Sequence, residues 1–320
     1  MPRRPVVVII TPYLAKANNG NWHTASRWAR MLRPAFRVRV QTQWDGRRAD
    51  VLIALHAGRS AESIKEFARA RSDGGLIVVL TGTDLYGGID ATARRSLELA
   101  DRLVVLNERG REAVPPRWRS KTEVVLPSAT PLVPLSPRER TFDVAVVGHL
   151  RAVKDPRLPM RVARRLPDNS KIRLLHAGKA LERGWSRSAR ATARSTDHYR
   201  WLGSVPAPEA RALIRRSRLL LHPSKEEGGA TVIVEALQSG TPVVASSCDG
   251  NVGLLGSRYP GLFSVGDMEA AKELLLRAES ETSFYRRLQS AAKRRARLFT
   301  PAREGRSLRR VVHNSMRTAK

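Results

Sequence analysis

Two glutamates and a glycine pair stand at spacings suited to a hydroxyl-rich, phosphorylated ligand. In LLLHPSKEEGGATVIVEALQSGTPVVAS, residues 219–246, an apolar run ends at His222 and a polar loop carries Glu226, Glu227, Gly228 and Gly229. A helix is expected to begin near Ala230 and Thr231 and to carry Glu235. The first N–H groups of a helix lack partners within it and sit at the positive end of its dipole, so a glycine turn running into a helix can hold a phosphate or a polyol. Glu235 lies roughly five residues inside that helix, a rise of about 7 Å from its start. Carboxylates only accept hydrogen bonds, and two at that separation can grip hydroxyls at two ends of one sugar nucleotide. The plainer alternative is a capped helix with solvated carboxylates.

The elements that must position these groups follow from hydrophobic periodicity. Short β-branched runs alternate with amphipathic stretches, the pattern of parallel βαβ units. VVVII (6–10), RVRVQT, DVLIAL, LIVVLT, RLVVL and TEVVLP read as six strands, and Ala25, Trp28, Ala29 and Leu32 mark a helix running from His23. PSATPLVPLSPRER, with four prolines in fourteen residues, reads as an interdomain linker. Beyond it FDVAVVG, IRLLHAG, RWLG, RLLLHPS and TPVVAS read as strands, with helices near 156–166, 207–217 and 230–239. LFSV (262–265) then precedes a helical region from about 267 to the end. The expectation is an α/β chain of two Rossmann-like, doubly wound domains facing each other across a cleft. They occupy 1–130 and 141–300, with a linker over 131–140 and a basic helix over 301–320 that packs back on the first domain. Such folds bind ligands beyond the carboxyl ends of their strands.

Composition sets outer bounds. A chain of 320 residues with 42% hydrophobic content is neither disordered nor fibrous. The 58 Lys and Arg, 48 of them Arg, against 29 Asp and Glu give a net charge of +29, which suits a nucleic acid, an anionic membrane, a phosphorylated substrate or merely an Arg-biased proteome. Residues 286–320 hold 12 of these cations and one acidic residue, Glu304. Leu298, Phe299, Leu308, Val311 and Val312 are a thin apolar face for peripheral membrane contact, and nothing resembles a nucleic-acid-binding pattern, so no specific nucleic-acid partner is expected. The lone Cys248 forms no internal disulfide and reads as a small residue at a strand end, and the early apolar run 6–10 is too short for a signal core or a membrane span. A cytoplasmic protein is expected. GxGxxG after the first strand, GxxxxGK[ST], CxxC and HExxH are all absent, which argues against a dinucleotide oxidoreductase, a P-loop NTPase and a metal site.

The 219–246 segment resembles the signature of GT-B glycosyltransferases of the family 4 type, PSxxEGxGxxxxEAxAxGxPVVA. Pro223, Ser224, Glu227, Gly228, Glu235, Ala236, Gly240, Pro242, Val243, Val244 and Ala245 all match. The resemblance implies that Glu227 contacts the donor sugar and Glu235 the ribose, with Gly228, Gly229, Ala230, Thr231 and Gly203 on the donor side. FDVAVVGHLRAVKDP is similar to the family's GRLxxxKG, with Lys154 at the offset of the diphosphate lysine, His149 where the arginine stands, and Arg151 two residues on. A Lys and Arg pair at a leaving diphosphate can do the work of a metal ion, so no metal or other cofactor is expected. Asn18, Gly20 and Asn21, in NNGN, fall where the family has a glycine-rich turn, although NG is equally a plain turn. LTGTDLYGG aligns with vHGxD, with Thr81 in place of the histidine, and His56 ends another strand as either an acceptor-side residue or a buried histidine.

Over roughly residues 5–300 the segments GNWHTASRWARML, ALHAGRS, LTGTDLY, VVGHLRAVKDP, YRWLG and NVGLLGSRYPGLFSVGD resemble the selenosugar synthases of selenoneine biosynthesis. That resemblance implies a UDP-sugar donor, UDP-N-acetylglucosamine foremost, and selenophosphate as the nucleophile. Thr81 in place of His fits a site that binds an anion instead of deprotonating a hydroxyl, with Gly82 and Thr83 as further donors and Arg59 or Arg151 adding charge. The competing readings are a conventional hexosyltransferase acting on an alcohol, lipid or sugar, and a non-enzymatic polyanion binder.

Overall fold

The computed structural model describes residues 3–14, 20–70, 73–133, 135 and 140–318. The chain divides into two compact units: Met1–Pro127 with Glu227–Gly229 and Pro301–Lys320, and Ser128–Glu226 with Ala230–Thr300.

The first unit runs β1 (Val6–Ile10), α1 (Gly20–Leu32), β2 (Arg37–Gln41), β3 (Val51–Leu55), α2 (Ala61–Ala70), β4 (Gly75–Leu80), α3 (Ala91–Leu99), β5 (Arg102–Val105), α4 (Gly110–Ala113) and β6 (Thr122–Val124). Its six strands are all parallel, in the order β2-β1-β3-β4-β5-β6. β1, β3 and β4 are buried at every residue, which is why they read as unbroken apolar runs instead of alternating ones. Successive side chains leave a strand on opposite faces. Val6, Val8 and Ile10 therefore join a cluster with Phe67 and Leu97, and Val7 and Ile9 join one with Ala25, Trp28 and Leu32. α1 opens at Gly20, one turn earlier than the apolar spacing from Ala25 suggests, because its first turn carries no apolar residue that packs on the sheet.

The second unit runs β7 (Phe142–Val147), α5 (Arg157–Ala163), β8 (Ile172–Ala177), α6 (Trp185–Ser195), β9 (Tyr199–Gly203), α7 (Ala207–Arg216), β10 (Leu219–His222), α8 (Thr231–Gln238), β11 (Val243–Ser246), α9 (Asp249–Leu255), β12 (Leu262–Phe263), α10 (Met268–Ser280) and α11 (Thr282–Ala296). The sheet is again parallel, in the order β12-β11-β10-β7-β8-β9, so its order reverses between β7 and β10. α6 escapes periodicity because WSRSARATARS buries only Ala189 and Thr192. The described part of the proline-rich segment is fastened to this unit: Leu132 N–H donates to Gln238 O at 3.2 Å, and Arg211 and Arg215 of α7 donate to the carbonyls of Thr130 and Val133.

The expected helical tail is three helices. α10 ends at Ser280, α11 at Ala296, and α12 (Pro301–Thr318) belongs to the first unit. There Leu308, Val311 and Val312 sit in the core with β1 and α1. Phe299 is fully buried as well, so of the five apolar residues that a membrane-attached tail would need, all but the half-buried Leu298 are spent inside the protein. No helix among the described residues is long and apolar enough to cross a membrane.

Candidate functional site

In the first unit, chemistry gathers at the carboxyl ends of β3, β4 and β5. His56, directly after β3, has φ +73°, a left-handed conformation that costs a non-glycine residue on the order of 1 kcal/mol. Local hydrogen bonds hold it there: Ser60 N–H donates to His56 O at 3.0 Å, and Arg59 N–H donates to His56 Nδ1 at 3.3 Å. Because Nδ1 accepts, the neutral ring carries its proton on Nε2, which donates to Thr83 Oγ1 at 3.2 Å and leaves the threonine hydroxyl hydrogen for another acceptor. Burial lowers the His56 pKa, the nearby Asp84 opposes that, and Arg59 adds to it, so the ring is neutral at physiological pH. Asp84 is itself committed: one oxygen accepts from Thr81 N–H at 2.8 Å and from Thr81 Oγ1, the other from Ala57 N–H at 2.8 Å. It lies 3.8 Å from His56 Nδ1, where there is no proton to share.

The glycine turn 227–229 clusters with these loops. Asn107, fully buried after β5, donates from Nδ2 to Gly228 O at 2.7 Å and to Tyr86 Oη at 2.9 Å. A Cβ on Gly228 would lie 2.3 Å from the carbonyl carbon and oxygen of Thr81, so this position takes only glycine because two backbones touch. Glu227 beside it is 8% exposed.

In the second unit, the loops after β7 and β10 meet where the strand order reverses, the place such sheets use for ligands. Lys225 N–H donates to Val153 O at 2.8 Å and ties the two loops together. Lys154, ending a single 3-10 turn (Ala152–Lys154), lines a small cavity with Gly148, His176, His222 and Ser224. Arg151 precedes that turn and is half-buried, and Ala152 N–H is held by the Glu182 carboxylate. His149 Nδ1 accepts from Lys179 N–H at 3.1 Å, which spends that nitrogen on the loop after β8. Gly148 and Gly178 pack backbone to backbone, a Cβ on Gly178 falling 1.9 Å from Gly148 O, and Gly178 N–H donates to Gly203 O at 2.7 Å. Gly203 has φ +70° at the end of β9. On α8, which opens at Thr231 after Ala230, Glu235 lies 3.6 Å from Arg211 Nε.

The expected residues thus fall into two groups. Lys154, Arg151 and His149 lie in the loop after β7 at the second unit's reversal point, Gly203 ends the edge strand β9, and Glu235 sits on the helix that follows β10. Thr81, His56, Glu227, Gly228 and Gly229 belong to the first unit. Gly20 and Asn21 open α1 instead of preceding it, and Asn18 lies outside the described residues. Sequence reasoning passed over Asn107 and Asp84, the side chains that set the loops. Asp84 sat in the quoted TGTD and could have been picked up there, whereas Asn107 follows RLVVL with no local signal. Among the described residues no three His, Cys, Asp or Glu gather as for a metal ion.

Residues 133–295, half of the chain, match the family profile described as glycosyl transferases group 1. No curated protein sequence matches the chain. Solved structures do: HepE of Anabaena in complex with UDP and glucose has a TM-score of 0.76 at 14% identity, covering 97% of this chain and 100% of that one. A sucrose-phosphate synthase of Thermosynechococcus elongatus has 0.78 at 15%, covering 99% and 100%. The lipopolysaccharide outer core galactosyltransferase WaaB has 0.72 at 13%, covering 97% and 99%. At these identities the likeness shows the fold, which is GT-B.

Proposed function

The chain belongs to the glycosyl transferases group 1 family, and from that premise we propose that it is a cytoplasmic enzyme transferring the sugar of a UDP-sugar, UDP-N-acetylglucosamine foremost, to selenophosphate. A structural neighbour in complex with UDP and glucose supports a uridine diphosphate donor. In this reading Glu235 accepts from the ribose hydroxyls, Glu227 from the sugar, and Gly228, Gly229, Ala230 and Thr231 present N–H groups. Lys154 and Arg151 stabilise charge on the departing diphosphate. Selenium attacks C1, the C1–O bond to the β-phosphate breaks, and its electron pair leaves with UDP. Water then attacks phosphorus, the P–Se bond breaks, and phosphate departs to leave a 1-seleno sugar.

One observation carries the acceptor. The His56 Nδ1 lone pair is occupied by Arg59 N–H, its Nε2 already holds the proton, and both Asp84 oxygens are bonded to backbone N–H groups. An alcohol acceptor needs a base to remove its proton, whereas selenophosphate arrives ionised and strongly nucleophilic. The test is UDP release with selenophosphate, with simple alcohols run beside it and product masses read for a panel of UDP-sugars. Selenophosphate-dependent release is expected, falling about 100-fold in Glu235→Ala as charge-assisted hydrogen bonds worth about 3 kcal/mol are lost. Release with alcohols alone sinks the selenosugar reading and leaves a conventional hexosyltransferase.

A further inference from the structure

The carboxyl ends of β1, β2 and β3 surround a recess in the first unit, lined by Pro12, Tyr13, Thr42, Gln43, Arg59, Glu62 and Ser63. β1 lies between β2 and β3, where this sheet's strand order reverses. Arg59 is the cation of the recess. Its Nη1 donates to Tyr13 Oη at 2.7 Å and its guanidinium carbon lies 5.5 Å from the centre of the Tyr13 ring, so the head is steered by an aromatic neighbour and not by an acid. No carboxylate lies within ion-pair distance of it among the described residues. Glu62, the one acid of the lining, has Lys65 Nζ at 3.5 Å on its own helix. Ser63 Oγ accepts from Trp44 N–H at 3.0 Å, which leaves its own hydrogen to donate, and Thr42 and Gln43 bring further O–H and N–H donors. The recess also borders the start of α2, where the helix dipole favours negative charge.

One planar cation, three neutral donors and a helix start suit a small tetrahedral oxyanion. We infer that this recess binds the phosphate-class head of the acceptor, with Arg59 as its charge partner and Tyr13 as the residue that positions Arg59. The inference rests on the proposed reading that the acceptor arrives ionised, and it adds the place where that anion is held. The same Arg59 supplies the N–H that occupies His56, so one residue both receives the anion and keeps the histidine from acting as a base.

The experiment titrates inorganic thiophosphate into the full-length protein by calorimetry, in excess UDP so that donor-phosphate groups are filled, and in parallel measures KM for selenophosphate and for the UDP-sugar. Arg59→Gln is expected to weaken thiophosphate binding and raise KM for selenophosphate about tenfold or more while KM for the UDP-sugar holds, with Arg59→Lys recovering part of the loss and Tyr13→Phe losing a few-fold. Thiophosphate bound equally by wild type and Arg59→Gln, or not bound by wild type, overturns the inference. Thiophosphate bound through Arg59 without selenophosphate turnover would sink the selenosugar reading and leave the anion recess standing.

Discussion

At Gly228 one methyl group is too many. Its Cβ would fall 2.3 Å from the Thr81 carbonyl atoms, which belong to backbone and cannot swing aside. Gly228→Ala is expected to lower stability by about 1–3 kcal/mol, as overpacking does, and to abolish UDP release by displacing Glu227 beside it. A thermal melt and the release assay on one preparation check both. The glycine was legible in the sequence because it stands in a contiguous motif with Glu227 and Glu235. Its clamp was not: Asn107 lies 121 residues away, and the hydrogen bond to Gly228 O exists only once the chain has brought β5 and the glycine turn together. Likewise Thr81 was readable as a departure from a histidine, but only the structure shows that its N–H and hydroxyl are turned to Asp84.

At the scale of elements, buried β-branched runs announced the strands, and the apolar stripe of α1 announced its face. α6 did not announce itself, since a helix that lies largely in solvent needs few apolar positions. α12 looked like a basic tail, yet its one acid, Glu304, is what docks it. The carboxylate is almost fully buried and accepts from Arg27 Nε at 2.9 Å and from Trp28 Nε1 at 2.7 Å, both on α1. Removing one partner of a buried pair strands the other charge, so Glu304→Ala is expected to cost about 3–5 kcal/mol, with Glu304→Gln losing less because it still accepts from Trp28. Denaturant melts of the two variants measure the difference. α1 begins at Gly20, so a loosened α12 also loosens the helix that carries Gly20 and Asn21 in its first turn.

For the whole molecule, acid stability turns on a side chain that carries no catalytic assignment. His176 is enclosed, its Nδ1 beside Tyr199 Oη at 2.9 Å, and burial pushes its pKa down from 6.5 to about 4. The unfolded chain therefore binds a proton that the folded chain refuses. Folding stability is unaffected by this group above about pH 6.5 and falls as the pH drops towards 4, by on the order of 3 kcal/mol. Melting temperatures of wild type and His176→Gln between pH 7 and 4.5 are expected to converge as the pH falls, and parallel curves would refute the account. The net charge of +29 looks different at this scale too. Exposed Arg286, Arg287, Lys293 and Arg294 form the outer face of α11, opposite buried Phe284, Leu288, Ala291 and Ala292. Arg59, one cation among 58, is distinguished by its neighbours alone.

By itself the sequence determined the parallel α/β class, the strands of each sheet and the contiguous motif around Glu227 and Glu235, because strand burial, helix periodicity and glycine turns are local and leave a local record. Only the tertiary structure decided that His56 has no lone pair left to act as a base, that Asn107 fastens Gly228, and that the apolar residues of the basic tail are core. The last two depend on partners tens to hundreds of residues apart, and a contact across that distance has no period to read, while His56 is blocked by the N–H of Arg59 three residues on, through a left-handed turn that the residue types do not announce.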